Sequence, residues 1–173
     1  MKTIQYFFAL LIAFTFFLSS CTDTNDGAYV APISISEKIQ GSWAAISVKQ
    51  IDEIAKTNGQ TPTDLSLTTK FNFSTFRILL NVDENNNPTN YQISGTSPTL
   101  LPTSGYWDLA HLFPNTDTTP SQIILYSDAA KTQKTATLEI TGTPGSVKIL
   151  EFRFTRKANG VAFVSYIYRL VPN

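Results

Sequence analysis

The sequence is poor in the residues that build reactive centres. It holds one cysteine, one histidine and one methionine in 173 residues. With Cys21 alone no intramolecular disulfide can form, so packing must hold the fold. Transition-metal sites gather several His, Cys or carboxylate ligands in one place, and His111 has no second histidine to join it. No metal site and no cofactor is expected. Net charge is also missing. The 13 Lys and Arg balance the 13 Asp and Glu, which leaves no electrostatic footprint for nucleic acid and no polybasic patch for anionic lipid. Finally, no apolar run reaches the roughly 20 residues a membrane-spanning helix needs. The run at residues 6–18, interrupted only by Thr15, fits the about 7–15-residue core of a secretory leader.

That run is preceded by Lys2 and followed by Leu18-Ser19-Ser20-Cys21. The segment resembles the lipobox of bacterial lipoproteins, a leucine, two small residues and a cysteine. The resemblance implies cleavage before Cys21 and acylation of its thiol with diacylglycerol, palmitate being the expected kind of chain. It places the protein in a bacterial cell envelope, lipid-anchored in the outer membrane, with the periplasmic or surface-facing side left open. Asp23 and Asp26, just after the cysteine, resemble signals that send some Bacteroidetes lipoproteins to the cell surface. An uncleaved anchor helix is the competing reading. The chain then divides into a leader at 1–20, a lipidated tether at 21–32 and one domain at 33–173. A mature chain of about 150 residues suits one domain and buries about 68–70% of its unfolded surface.

From Ser42 the texture is that of a β protein. Eight strands are predicted, at 42–50, 74–82, 90–95, 104–110, 122–127, 134–142, 147–156 and 163–172. Several alternate with period two, the mark of a sheet with one buried face. Phe76, Ile78, Leu80 and Val82 share a face, as do Ala136, Leu138 and Ile140. Leu150, Phe152 and Phe154 oppose Glu151, Arg153 and Thr155. Val164, Tyr166, Tyr168 and Leu170 oppose Ser165, Ile167 and Arg169. Residues 83–88, 142–145 and Asn159-Gly160 read as turns, the last favouring positive φ at both positions. Ser34-x-x-Glu37 is a capping box that predicts a helical turn at about 35–40, ended by Gly41. Ile51, Ile54 and Ala55, with Gly59 behind them, predict a second short helix. Long connections are expected at 51–70, 95–104 and 111–121. Antiparallel strands in this order close into a barrel or stack as a sandwich.

The helical turn leading into Gly41-Ser42-Trp43 favours the barrel. It resembles the Gly-x-Trp opening of lipocalin-like (calycin) domains, and Gly105-Tyr106-Trp107-Asp108 adds a second tryptophan strand. The domain is similar to lipocalin-like lipoproteins of unknown function in Bacteroidetes. The resemblance implies an all-β, eight-stranded antiparallel barrel with a short N-terminal helical turn. It implies Trp43 as a plug at one end, crossed by Arg169 or, second, Arg156. Asn173 follows directly on the eighth predicted strand, so the C-terminal helix of true lipocalins is not expected here.

Little in the pattern carries catalysis. His111 with Asp108 lacks a Gly-x-Ser-x-Gly elbow. Asp108, Glu139 and Glu151 lie on different strands, which leaves no paired carboxylates for glycosidic chemistry. Residues 83–87 lack the glycine and closing glutamate of a calcium loop. No catalytic residue is assigned and the protein is not expected to be an enzyme. The remaining resource is aromatic: 12 Phe, 7 Tyr and 2 Trp. Phe76, Phe152, Phe154, Tyr166 and Tyr168 are expected to face inward. An eight-stranded barrel either fills with side chains or encloses one small ligand. The first expectation is therefore non-catalytic binding of a small apolar or amphipathic ligand. The alternative is a structural or accessory envelope protein with a filled core, contacting other envelope proteins through its loops.

Overall fold

The structure, a computed structural model, describes residues 30–117 and 119–173. Cys21, the leader and most of the tether lie outside the described residues. Val30 to Pro32 is exposed coil, and the compact unit of the barrel begins at Ile33.

Ser34 starts the first helix as its capping box dictates. Its backbone N–H donates to Glu37 Oε2 at 2.6 Å while the Glu37 N–H donates back to Ser34 Oγ at 3.2 Å. The helix α1 spans Ile35–Ile39 and buries both isoleucines. Gly41, at φ +101°, turns the chain into β1, Gly41–Asp52. Asp52 then caps α2, Glu53–Thr57, by accepting the Ala55 N–H at 2.8 Å. The short strand β2, Asp64–Ser66, and a 3₁₀ turn at Phe73–Thr75 complete the first connection. The remaining strands are β3 Arg77–Val82, β4 Pro88–Ser94, β5 Ser104–Leu109, β6 Gln122–Tyr126, β7 Lys134–Gly142, β8 Leu150–Ala158 and β9 Val161–Pro172.

Every neighbouring pair is antiparallel, and β9 pairs back onto β1 from Trp43↔Pro172 to Asp52↔Val164. Strands β1 and β3–β9 thus form a closed eight-stranded antiparallel barrel, consistent with a lipocalin-like barrel. Closure leaves no long free edge. The predicted alternation holds along the wall. Ile78, Leu80, Leu138, Leu150, Phe152, Tyr168 and Leu170 are buried inside. The tight turn is as expected, with Asn159 at φ +50° and Gly160 at +80°.

Three elements depart from the sequence reading. β2 was not foreseen, because its three residues are all exposed and show no alternation; it is held by backbone pairing with Lys49, Gln50 and Ile51 and by the ion pair of Asp64 with Lys49 Nζ at 3.7 Å. β8 starts at Leu150 instead of 147, since the stretch around Gly145 turns on itself and leaves Val147 exposed. β3 starts at Arg77 instead of 74, because the 3₁₀ turn occupies residues 73–75.

The register gives the barrel two unlike ends. One end carries α1 and the connections at 83–87, 110–121 and 143–149. Here the Trp43 indole is buried, and its Nε1 donates to the Ile39 carbonyl at 2.7 Å. Trp107 is fully buried and donates to the Asn81 carbonyl at 2.8 Å. This is the closed end. The mouth, at the other end, carries the connections at 53–76, 95–103, 127–133 and 159–160.

Candidate functional site

The inward aromatics fill the barrel around Tyr168. Its ring stacks on Phe152, centroid to centroid 5.1 Å, and lies 4.7 Å from Phe76 and 6.3 Å from Phe73. Desolvation pushes the Tyr168 phenol well above its ordinary pKa, and the neighbouring Tyr166 adds to the effect. These rings occupy the middle of the barrel and pack on one another. Among the predicted lining residues, Phe76, Phe152 and Tyr168 pack on one another, and Phe76 and Tyr168 also border a small pocket. Phe154 is half-buried and borders an opening in the wall, and Tyr166 lines the open space at the mouth.

That open space is an apolar groove of about 210 Å³, lined by Leu67, Phe71, Phe73, Pro98, Leu100 and Tyr166, with Gln50 as a polar member. Through Pro98 and Leu100 it adjoins a smaller pocket of about 40 Å³ that reaches down to Phe76 and Tyr168. The first connection builds the lip. The Leu67 N–H donates to the Val48 carbonyl at 2.8 Å, which folds the chain across the mouth. Leu67 and Phe73 then turn inward and are buried, while Phe71 remains 68% exposed at φ +53°. A bulky residue in the left-handed region is a backbone outlier, and here it holds an aromatic ring over the groove. Phe71 and Phe73 were missed by the sequence reading, which followed strand alternation. Two aromatics in an otherwise polar connection were the available signal.

The expected crossing of Trp43 by arginine requires correction. Arg169 alternates with buried Tyr168 and Leu170, so it lies on the outer face, exposed, in register with Ser47 and Glu151. Arg156 sits over Phe163 at 5.5 Å, near the mouth and away from Trp43. The plug is instead completed by Ile35 and Ile39 of α1.

The polar candidates fall apart as a site. Asp108 pairs with Lys131 Nζ at 2.9 Å. Thr141 donates to Glu151 at 2.9 Å. Glu139 faces Arg153 across β7 and β8. Asp83 accepts the N–H groups of Asn85 and Asn87 at 2.9 and 2.8 Å, so its carboxylate serves the hairpin turn. His111 is exposed in its loop. Among the described residues no three His, Cys, Asp or Glu side chains gather as metal ligands would.

One charged cluster lies outside the barrel wall. Glu53, at the start of α2, accepts from the Arg153 guanidinium and from the Ser165 hydroxyl, and Arg153 Nε donates to Ser165 Oγ at 3.1 Å. Burial alone would raise the Glu53 carboxyl. The hydrogen bonds from Ser165 and Arg153, with the guanidinium charge, outweigh it and hold the group below its ordinary 4.5. The cluster clamps α2 to β8 and β9.

Fold and groove together describe a small closed barrel with an apolar groove at its mouth. The chain belongs to the family described as a domain of unknown function, DUF5004, which matches residues 19–171. None of the curated proteins compared with the chain matches it.

Proposed function

We propose that the protein is a non-catalytic binding module of a bacterial envelope, held to the membrane by lipid on Cys21, that takes a small apolar or amphipathic molecule at the barrel mouth. The observation that carries this reading is the groove of about 210 Å³ between Leu67, Phe71, Phe73, Leu100 and Tyr166. Its size falls below the roughly 300–1,000 Å³ of sites that enclose a drug-sized ligand. It therefore accommodates one ring or a short acyl segment while the rest of the molecule stays in water, which selects an amphipathic ligand. Burial of about 100 Å² of apolar ligand surface contributes about 2.5 kcal/mol. Affinity is then weak unless Gln50 or the Tyr166 hydroxyl adds a hydrogen bond, worth about 0.5–1.5 kcal/mol.

The test is a fluorescence titration with a short-chain fatty acid carrying an environment-sensitive dye. Saturable binding that Tyr166→Phe and Phe71→Ser weaken, with unfolding curves unchanged, supports the reading. Binding that neither variant alters contradicts it.

The filled interior favours a second reading, an accessory envelope protein that meets other envelope proteins through its loops. The closed end supplies the surface for it, with Leu112, Phe113 and Val147 exposed. Cross-linking that fails when Leu112→Ser and Phe113→Ser are introduced together, beside a mouth that binds no probe, would favour it.

A further inference from the structure

The barrel wall has a notch. Strands β7 and β8 pair from Gly142↔Glu151 to Leu138↔Phe154, and there the pairing stops. Towards the mouth β7 continues against β6 as far as Lys134, and β8 continues against β9 as far as Ala158. The two hairpins therefore diverge. Each leaves about four residues, 134–137 and 155–158, with no strand on the side facing the other. The opening measures about 480 Å³ and is lined by Lys134, Thr135, Thr137, Phe154, Thr155 and Lys157.

Unpaired strand edges are templates for another strand. The two lips differ as templates. The β7 lip is bulged: Leu125 pairs with Ala136 and Tyr126 with Lys134, so Thr135 is the extra residue, and its hydroxyl donates to the Leu125 carbonyl at 3.1 Å. Bulges blunt an edge. The β8 lip is regular, because the extra residue at its irregularity, Phe163, belongs to β9. Charge selects the partner. Lys134 and Lys157 stand on opposite lips, and among the described residues neither joins an ion pair. Glu139, at the base of the notch, lies opposite Arg153.

We propose that the notch is a strand-addition site for an extended polypeptide segment bearing acidic side chains, which pairs its backbone with residues 155–158 of β8 and sets its carboxylates between Lys134 and Lys157. Four residues at about 3.3 Å each give a lip of about 13 Å, enough for a segment of four or five residues. The hydroxyls of Thr137 and Thr155 add side-chain partners, and the half-buried Phe154 offers an apolar floor for one alternate side chain.

The experiment uses a fluorescein-labelled peptide of alternating Thr-Glu-Val-Glu units. Its controls are the same peptide with Lys for Glu, and an N-methylated version that keeps the charge but loses the backbone donors of one edge. Fluorescence anisotropy and amide hydrogen exchange are the readouts. The proposal expects saturable binding of the acidic peptide and new protection confined to residues 155–158 and their neighbours. It expects about a ten-fold loss of affinity in the double variant Lys134→Glu, Lys157→Glu, from lost attraction and added repulsion. It expects loss of binding on N-methylation. Equal binding of the N-methylated peptide would reduce the site to charge attraction and overturn strand addition. Absence of saturable binding, or protection already present without peptide at those amides of 155–158 that face the notch and not β9, would overturn it outright and leave the lysines as guards of an edge. A concentration-dependent dimer abolished by the double variant would assign the notch to a second copy of the chain, against the proposal.

Discussion

Trp43 does two things with one ring: it fills the closed end and it satisfies the last turn of α1 through the Ile39 carbonyl. Trp43→Ala should cost about 3–5 kcal/mol, as for other buried aromatics, read from urea unfolding. Arg169→Ala should change stability by no more than about 0.5 kcal/mol, as an exposed residue; a loss comparable to that of Trp43→Ala would restore the arginine as part of the plug. The pair shows what was legible at this scale. Period-two alternation had already placed Arg169 opposite Tyr168 and Leu170, whereas the lipocalin resemblance asked it to reach inside, and the alternation prevailed because one-residue parity decides the face. Gly105 was less legible. A side chain there would run into the Tyr126 carbonyl and sit about 3.1 Å from the Tyr91 ring. Gly105→Ala should therefore cost about 1–3 kcal/mol, as overpacking does, measurable in the same unfolding assay. Among the described residues the buried Tyr91 hydroxyl beside it has no hydrogen-bond partner. Burial pushes its ionisation up, and Thr135 opposes this only in part, its hydroxyl being engaged with the Leu125 carbonyl.

Elements were legible in proportion to how much they bury. The long strands β7, β8 and β9 alternate because one face is inside, and the Ser34 to Glu37 capping box announces α1 in four residues. β2 buries nothing and left no pattern. The mouth is assembled from coil at 67–73 and 95–101, where no period exists to read. α2 was foreseen from Ile51, Ile54 and Ala55, but its anchoring was not, since Glu53 lies 100 residues from Arg153 and 112 from Ser165 and meets them only through the pairing of β1 with β9 and of β9 with β8. That clamp has a sign that can be worked out. The folded Glu53 carboxyl ionises below 4.5 and the unfolded one at about 4.5. Its contribution is therefore fully present above the unfolded value, falls as the pH drops through the interval, and is gone below the folded pKa. Glu53→Gln should cost about 1–3 kcal/mol near neutrality and flatten the acid limb of the stability profile below pH 4.5. An acid limb identical in variant and parent would show that the clamp does not act in solution.

At the scale of the whole molecule, a filled barrel changes where function must reside. A hollow calyx would take its ligand along the axis. This barrel packs Phe76, Phe152 and Tyr168 together inside and presents an apolar groove at the mouth, so its wall and core act as a scaffold for loops. The proposed lipid anchor makes its own prediction. Labelled palmitate should attach to the wild-type chain, and Cys21→Ser should release the domain from membranes or leave it unprocessed; failure of the label to attach would contradict the envelope placement. The most direct measurement of the central claim is an NMR titration of the uniformly labelled protein with dodecanoate. Shifts should be confined to residues 67–73, 95–101 and Tyr166, with Phe152 and Leu150 unmoved. A spectrum that does not respond, or one whose shifts run through Phe152 and Tyr168 into the barrel core, would contradict a binding site at the mouth.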